Sequence, residues 1–149
     1  MTISEACNRE VIIMQRNESV MEAAKLMRRH HVGDIIVVDE RNGNRIPVGI
    51  VTDRDIIVEI MATELDPKVI TVGDIMTPEL FTAKKSMELF EAIQFMRSKS
   101  IRRLPVVNEA DELIGILTLD DVLELLAEEM LNLTKLIKYQ QKKETEHRP

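Results

Sequence analysis

The chain has 149 residues, of which 44% are hydrophobic and 31% charged, with 3% aromatic and no Trp. That is the balance of a folded, water-exposed protein with room for one ordinary domain or two small ones, and it excludes a disordered polymer. A formal net charge of −6 argues against general nucleic-acid binding, which needs a basic footprint to displace counterions. A single cysteine, Cys7, excludes an intrachain disulfide, and no stretch approaches the roughly 18 apolar residues of a membrane span. Asn8, Arg9 and Glu10 interrupt any apolar leader, so the cytoplasm is the expected compartment, with no membrane partner.

In chain order, a short apolar stretch, Val11 to Met14, comes first. Val20, Ala23, Ala24 and Met27 then recur at the spacing of one helix face, with Asn17 as a candidate N-cap and Ser19 with Glu22 as a candidate capping box. Two apolar runs follow, Ile35 to Val38 and Val48 to Val51, separated by a turn at Asn42-Gly43. A second helix starts near Thr52. The pattern then begins again with Leu80-Phe81, a helical face of Leu89, Ala92, Ile93 and Met96 with Ser86 as candidate N-cap, and runs over Leu104 to Val107 and Leu113 to Leu117. A last helix starts near Thr118. Its Leu123, Leu126, Met130, Leu133 and Ile137 alternate steps of three and four, the seam of a dimer-forming helix or of one packed on its own domain. Beyond Tyr139 the QQKKETEHRP tail is polar.

The chain therefore repeats itself. At a shift of 69 residues Glu22, Ala23, Met27 and Arg28 meet Glu91, Ala92, Met96 and Arg97, and Val37-Val38 meet Val106-Val107. Past a three-residue excess in the first loop the shift falls to 66, and Gly49, Ile50, Thr52 and Asp55 meet Gly115, Ile116, Thr118 and Asp121. The expected fold is α+β: two repeats of order strand, helix, strand, strand, helix over residues 1–70 and 71–130, and a C-terminal helix extension and tail over 131–149. Units this small are marginal alone, so a shared core is expected.

The strongest local signal is the doubled Gly-Ile-x-Thr-x-x-Asp at residues 49–55 and 115–121. One reading is structural: Thr is a good N-cap and Asp suits the first helical turn. The other is a ligand site. A helix start offers N–H groups to a phosphate, a carboxylate one turn on can accept from both ribose hydroxyls, and Gly permits the close approach of a flat ring. His30-His31 reads as a helix-end pair, Asp53, Asp55, Asp120 and Asp121 as solvated acids, the nine methionines as core filler and Cys7 as structural.

The doubled motif, with Arg102-Arg103-Leu104-Pro105-Val106-Val107 and the Val72 to Thr77 segment, resembles the CBS-domain family over roughly Thr2 to Met130. The resemblance implies a Bateman module: two repeats packed through their sheets about a pseudo-two-fold axis, with two clefts for adenosine ligands such as AMP, ADP, ATP or S-adenosylmethionine. It implies that Asp55 and Asp121 hold ribose and Thr52 and Thr118 contact phosphate. Adenine would lie near Ile12 and Ile13 in one copy and Phe81 and Thr82 in the other, closed by the backbone near Ile35 or Leu104. The resemblance also implies that Arg103 stands where nucleotide-binding relatives often carry a phosphate-binding arginine, with Arg102 just before it. The first copy has Gly33 and Asp34 there, so polyphosphate binding is expected at the second site, with Arg54, His31 or a charge from the other cleft as partial compensation at the first.

The implied role is regulatory: a nucleotide-sensing module with no required cofactor, a likeness to homodimers that pair through helices near Leu89 to Met96, and a target outside the chain. The alternative is a structural dimerisation module with degenerate clefts. Enzymes such as inosine monophosphate dehydrogenase carry the same pair beside a barrel of about 250 residues, which this chain has no room for.

Overall fold

The elements form where apolar periodicity and turn chemistry place them, and a computed structural model describes residues 1–148. In order they are α1 (Ile3–Ala6), β1 (Ile13–Met14), α2 (Val20–His30), β2 (Asp34–Arg41), β3 (Asn44–Thr52), α3 (Asp53–Ile56) continued by a π-helical turn (Ile57–Met61), α4 (Val72–Ile75), β4 (Ala83–Lys84), α5 (Leu89–Lys99), β5 (Arg103–Val107), β6 (Leu113–Thr118) and α6 (Leu119–His147). The class is α+β with two like units and a long final helix.

Each unit has a three-stranded sheet of order β1-β2-β3 or β4-β5-β6, whose first pair is parallel and second antiparallel. The repeat extends to irregularities. Both sheets carry a register shift at the same place, between Val37 and Val38 and between Val106 and Val107. The extra length of the first hairpin goes into its longer strands, eight and nine residues against five and six, which are closed by a two-residue turn in which Asn42 (φ 54°) and Gly43 (φ 81°) are both left-handed, the conformation that matches the twist of the flanking strands.

The helix starts correct part of the sequence reading. Ser19 caps α2, accepting from the Glu22 N–H at 3.2 Å, and Asn17 takes no part. Ser86 does not cap α5; Glu88 occupies that position without a side-chain bond. The cause is tertiary: Ile3 N–H donates to Met87 O at 2.9 Å and Thr2 bridges Glu88, holding residues 87–88 extended. The first strands are also shorter than the apolar runs suggest, and Leu80-Phe81 lies ahead of β4.

Two helix-side cores flank a sheet-to-sheet contact. One gathers Met14, Ala23, Met27, Ile35, Val37 and Val51, the other Ala83, Leu89, Ala92, Met96, Leu104 and Leu117. Between the sheets Ile36, Val38 and Ile50 meet Ile116, with Val11, Ile13, Leu80 and Leu113 around them. The expected shared core is this contact.

The short leading helices are exchanged. Ile3 of α1 is fully buried in the second core, and Val72 of α4 is fully buried in the first. Main-chain bonds fix both: Ser4 N–H to Lys85 O and Leu89 N–H to Met1 O in one unit, Val72 N–H to Glu18 O at 2.8 Å and Val20 N–H to Ile70 O in the other. Asn8 then pairs with Ile116, each N–H donating to the other's carbonyl at 2.9 Å. A Cβ at Gly115 would lie 2.7 Å from Asn8 O, so only glycine admits this pairing.

Ile3→Ala should therefore cost about 2–5 kcal/mol, the usual range for truncating a fully buried isoleucine. Urea unfolding followed by circular dichroism measures it; a loss within about 0.5 kcal/mol, the scale of surface substitutions, would show that α1 is not a core element.

Candidate ligand cleft

Asp34 opens β2 opposite Thr52, and Arg103 opens β5 opposite Thr118. These are equivalent positions of the two repeats, and the pseudo-two-fold packing brings them face to face. Arg103 Nε donates to Asp34 Oδ2. Both side chains are partly exposed, at 36% and 23%. The aspartate that was expected to handicap one site and the arginine that was expected to equip the other are one ion pair, so the two sites cannot be assessed separately.

On either side of the pair lies a cavity. The larger, about 370 Å³, is bounded by Val11 and Ile12 ahead of β1, His31 to Asp34 between α2 and β2, the start of α6 with Thr118, Asp120 and Asp121, and Arg102 and Arg103. The smaller, about 150 Å³, joins Ile50 and Thr52 at the end of β3 to Thr77, Glu79, Leu80 and Phe81 and to Ile101, Arg102 and Arg103. The grouping of residues is thus crossed. Thr118 and Asp121 stand with Ile12, and Thr52 stands with Phe81. The reason is the sheet contact: with Ile50 and Ile116 at its centre, each strand-to-helix corner lies beside the first strand of the other repeat.

The two corners differ in detail. Thr52 Oγ1 accepts from Asp55 N–H at 3.1 Å, and Asp55 Oδ2 accepts from Thr52 N–H at 2.9 Å, a closed capping box. Thr118 Oγ1 likewise accepts from Asp121 N–H at 3.1 Å. No reciprocal bond ties the Asp121 carboxylate among the described residues, and it borders the larger cavity whereas Asp55 borders neither. Both helix starts have also used another donor: Asp53 N–H goes to Gly33 O at 3.0 Å and Leu119 N–H to Arg102 O at 2.9 Å. Few donors remain for a phosphate.

The other predicted residues scatter. Ile35 and Leu104 are fully buried with side chains in the helix-side cores, and Ile13 packs between the sheets. Thr82 lines a separate cavity with Arg16 and Pro47, and Arg54 is exposed beside neither cleft. Phe81 meets Phe95 edge-on at 6.0 Å between centroids, and the Lys99 ammonium sits 5.0 Å from its ring centre. His31 ends α2 in the left-handed conformation (φ 54°). Burial pushes the Cys7 thiol above its ordinary value against the opposing pull of Arg9, which keeps it protonated at neutral pH.

Sequence reasoning missed Asn8, Glu10 and Asp120 as neighbours of the larger cavity. Nothing in the local pattern marks Asn8 and Glu10, which the exchange of leading segments brings there, while Asp120 lies inside the second motif but reads as a solvated acid. They change the electrostatics. The larger cavity is bordered by four carboxylates, from Glu10, Asp34, Asp120 and Asp121, against two guanidinium groups. One guanidinium is paired with Asp34, and the other lies 3.5 Å from Asp120. The smaller cavity sets the same two arginines against Glu79 alone. The first cleft is therefore acidic and the second weakly basic.

A family model described as CBS domain matches residues 3–62 and again 72–128. The CBS domain-containing protein YhcV of Bacillus subtilis is 34% identical over 121 residues, 81% of this chain and 82% of that protein. An uncharacterized protein of Methanopyrus kandleri is 35% identical over 123 residues, 83% of this chain, and this chain spans 61% of its length. Among solved structures, a CBS domain pair in complex with 5′-methylthioadenosine and S-adenosyl-L-methionine superposes with a TM-score of 0.72 at 28% identity, covering 85% of this chain and 99% of that one.

The Asp34–Arg103 pair should be energetically coupled by about 0.5–1.5 kcal/mol at low salt, less at high salt, as its partial exposure dictates. A double-mutant cycle of Asp34→Asn and Arg103→Gln in urea unfolding reads this directly. Strict additivity of the two substitutions would deny the pair.

Proposed function

The chain belongs to the CBS-domain family, and from that premise we propose that it is a regulatory module whose larger cleft takes an adenosine-bearing ligand. The observation that carries this reading is the cleft of about 370 Å³ in which Thr118 and the uncapped Asp121 face Ile12. That volume suits a nucleoside-sized molecule. The Asp121 carboxylate would accept from the ribose hydroxyls and the apolar Val11-Ile12 edge would bear the ring, the roles the family resemblance implies. The related domain pair that holds 5′-methylthioadenosine and S-adenosyl-L-methionine supports an adenosine ligand of this type.

Charge then selects within the class. A polyphosphate entering the larger cleft meets four carboxylates and must break Arg103 away from Asp34. A neutral thionucleoside or a sulfonium nucleoside of net positive charge meets no such barrier. The preference proposed for the Thr118 cleft is therefore the reverse of the polyphosphate preference expected from Arg102 and Arg103 alone. AMP, ADP or ATP remains the second reading, at the Thr52 cleft, where the same arginines outnumber Glu79; its volume of about 150 Å³ requires widening first.

The module would act without catalysis, passing occupancy to a protein target or to a second copy. Phe90 on α5 is 72% exposed and Met61 on the π-helical turn 73%, which supports pairing of copies through these helices. No helix among the described residues is long and apolar enough to cross a membrane, and the cytoplasm is the proposed site of action. The rival reading, a dimerisation module with degenerate clefts, predicts no ligand at all.

Calorimetric titration of 5′-methylthioadenosine, S-adenosylmethionine, AMP and ATP separates these readings. The first two should bind more tightly than ATP, and Asp121→Ala should weaken them by about 1.5–3 kcal/mol, the scale of a hydrogen bond to a charged group. Tighter ATP binding that Asp121→Ala leaves unchanged would move the site to the other cleft, and four flat isotherms would leave the dimerisation module.

A further inference from the structure

α6 is out of proportion to the rest of the fold. It runs 29 residues, about 43 Å at the ordinary rise, and only Val122 within it is buried. From Leu126 to Arg148 every residue is exposed. Yet this half is not polar all round. Leu119, Leu123, Leu126, Met130, Leu133 and Ile137 recur at alternating steps of four and three, between 36% and 70% exposed. That period keeps the six on one narrow stripe, the seam of a two-helix coil. A lone projecting helix of this length is marginal in water, because its stability rests on covering such a stripe.

The charges say what covers it. Residues 119–131 hold five carboxylates, of Asp120, Asp121, Glu124, Glu128 and Glu129, and no Lys or Arg. Residues 132–147 hold Lys135, Lys138, Lys142 and Lys143 against Glu144 and Glu146. The helix is acidic in its first half and basic in its second. Two copies side by side and parallel would set like halves together. Two copies antiparallel set each acidic half along the other's basic half and also oppose the helix dipoles.

We propose that α6 of one copy pairs with α6 of a second copy as an antiparallel two-helix coil. The register follows from the stripe. Laying Leu126 opposite Ile137 of the other copy and Met130 opposite Leu133 fills four successive layers with apolar side chains, with Leu123 meeting Gln140 at each end. A one-heptad shift outward puts Gln140 opposite Met130 and Glu144 opposite Leu126, and a one-heptad shift inward, though it keeps the stripe apolar, drives residues 138–147 past the start of the other α6 and into its body. The two bodies then sit at opposite ends of the coil, so that pairing through α5 and the π-helical turn would join a body to that of a further copy, and the clefts, whose corner at Thr118 begins α6, are joined through the coil. This pairing is independent of the ligand reading.

The test uses the full chain with Cys7→Ser and Lys142→Cys, spin-labelled at the new thiol and read by pulsed dipolar spectroscopy at about 100 µM, where pairing of micromolar strength is saturated. In the antiparallel register the two labels lie 21 residues apart along the axis, about 32 Å. Adding Leu133→Asp and Ile137→Asp, both on the exposed half, should abolish that distance and lower the helical ellipticity while leaving the thermal transition of the body in place. A sharp distance under about 20 Å would mean a parallel coil, since paired helix axes lie about 8–10 Å apart, and would overturn the proposal. So would an absence of dipolar coupling, or a distribution that the two aspartates do not change.

Discussion

Everything in this molecule hangs on the contact between its two sheets. Each is only three strands wide, and each has a helix on one face alone. A sheet that small cannot stand with its second face in water. Ile36, Val38, Ile50 and Ile116 close those faces on one another, and in doing so they set the pseudo-two-fold relation of the repeats. The clefts are a by-product of that closure: they open where the rims of the sheets diverge, flanking the pair of residues that begin β2 and β5.

The same closure explains why the repeats are entangled and not merely adjacent. α1 and α4 leave their own repeat to cap the open end of the other core, where Ile3 and Val72 become fully buried. An exchange of this kind makes neither half a separable folding unit, since each lacks a buried side chain that the other's leader supplies. It also has a chemical consequence. The leader of the first repeat carries Asn8 and Glu10 to the rim of the cleft built on the second.

Duplication yields two corners with the same residues, and small departures then separate their chemistry. Asp55 is consumed in its capping box, while Asp121, in the same motif, keeps its carboxylate for the cleft. Asp34 and Arg103 occupy one position in two copies with opposite charge. Symmetry places opposite charges in contact there, where two arginines would repel and two aspartates would too. The pair thus joins the halves and, by occupying the arginine, leaves the larger cleft acidic.

The doubling, the order of elements and the family were legible in the chain, because they depend on local matters: apolar spacing of 2.0 or 3.6, turn residues such as Asn42-Gly43, and a seven-residue motif read twice. The N-cap role of Thr52 and Thr118 was legible for the same reason. The partners across the clefts were not. A linear reading groups Thr118 with Phe81 because they lie in one repeat, whereas the sheet contact crosses the repeats and delivers Ile12. Nor could it pair Asp34 with Arg103, 69 positions away. Whether a charge is free or spent is decided by what packing brings within a few ångströms of it, and no local pattern carries that distance.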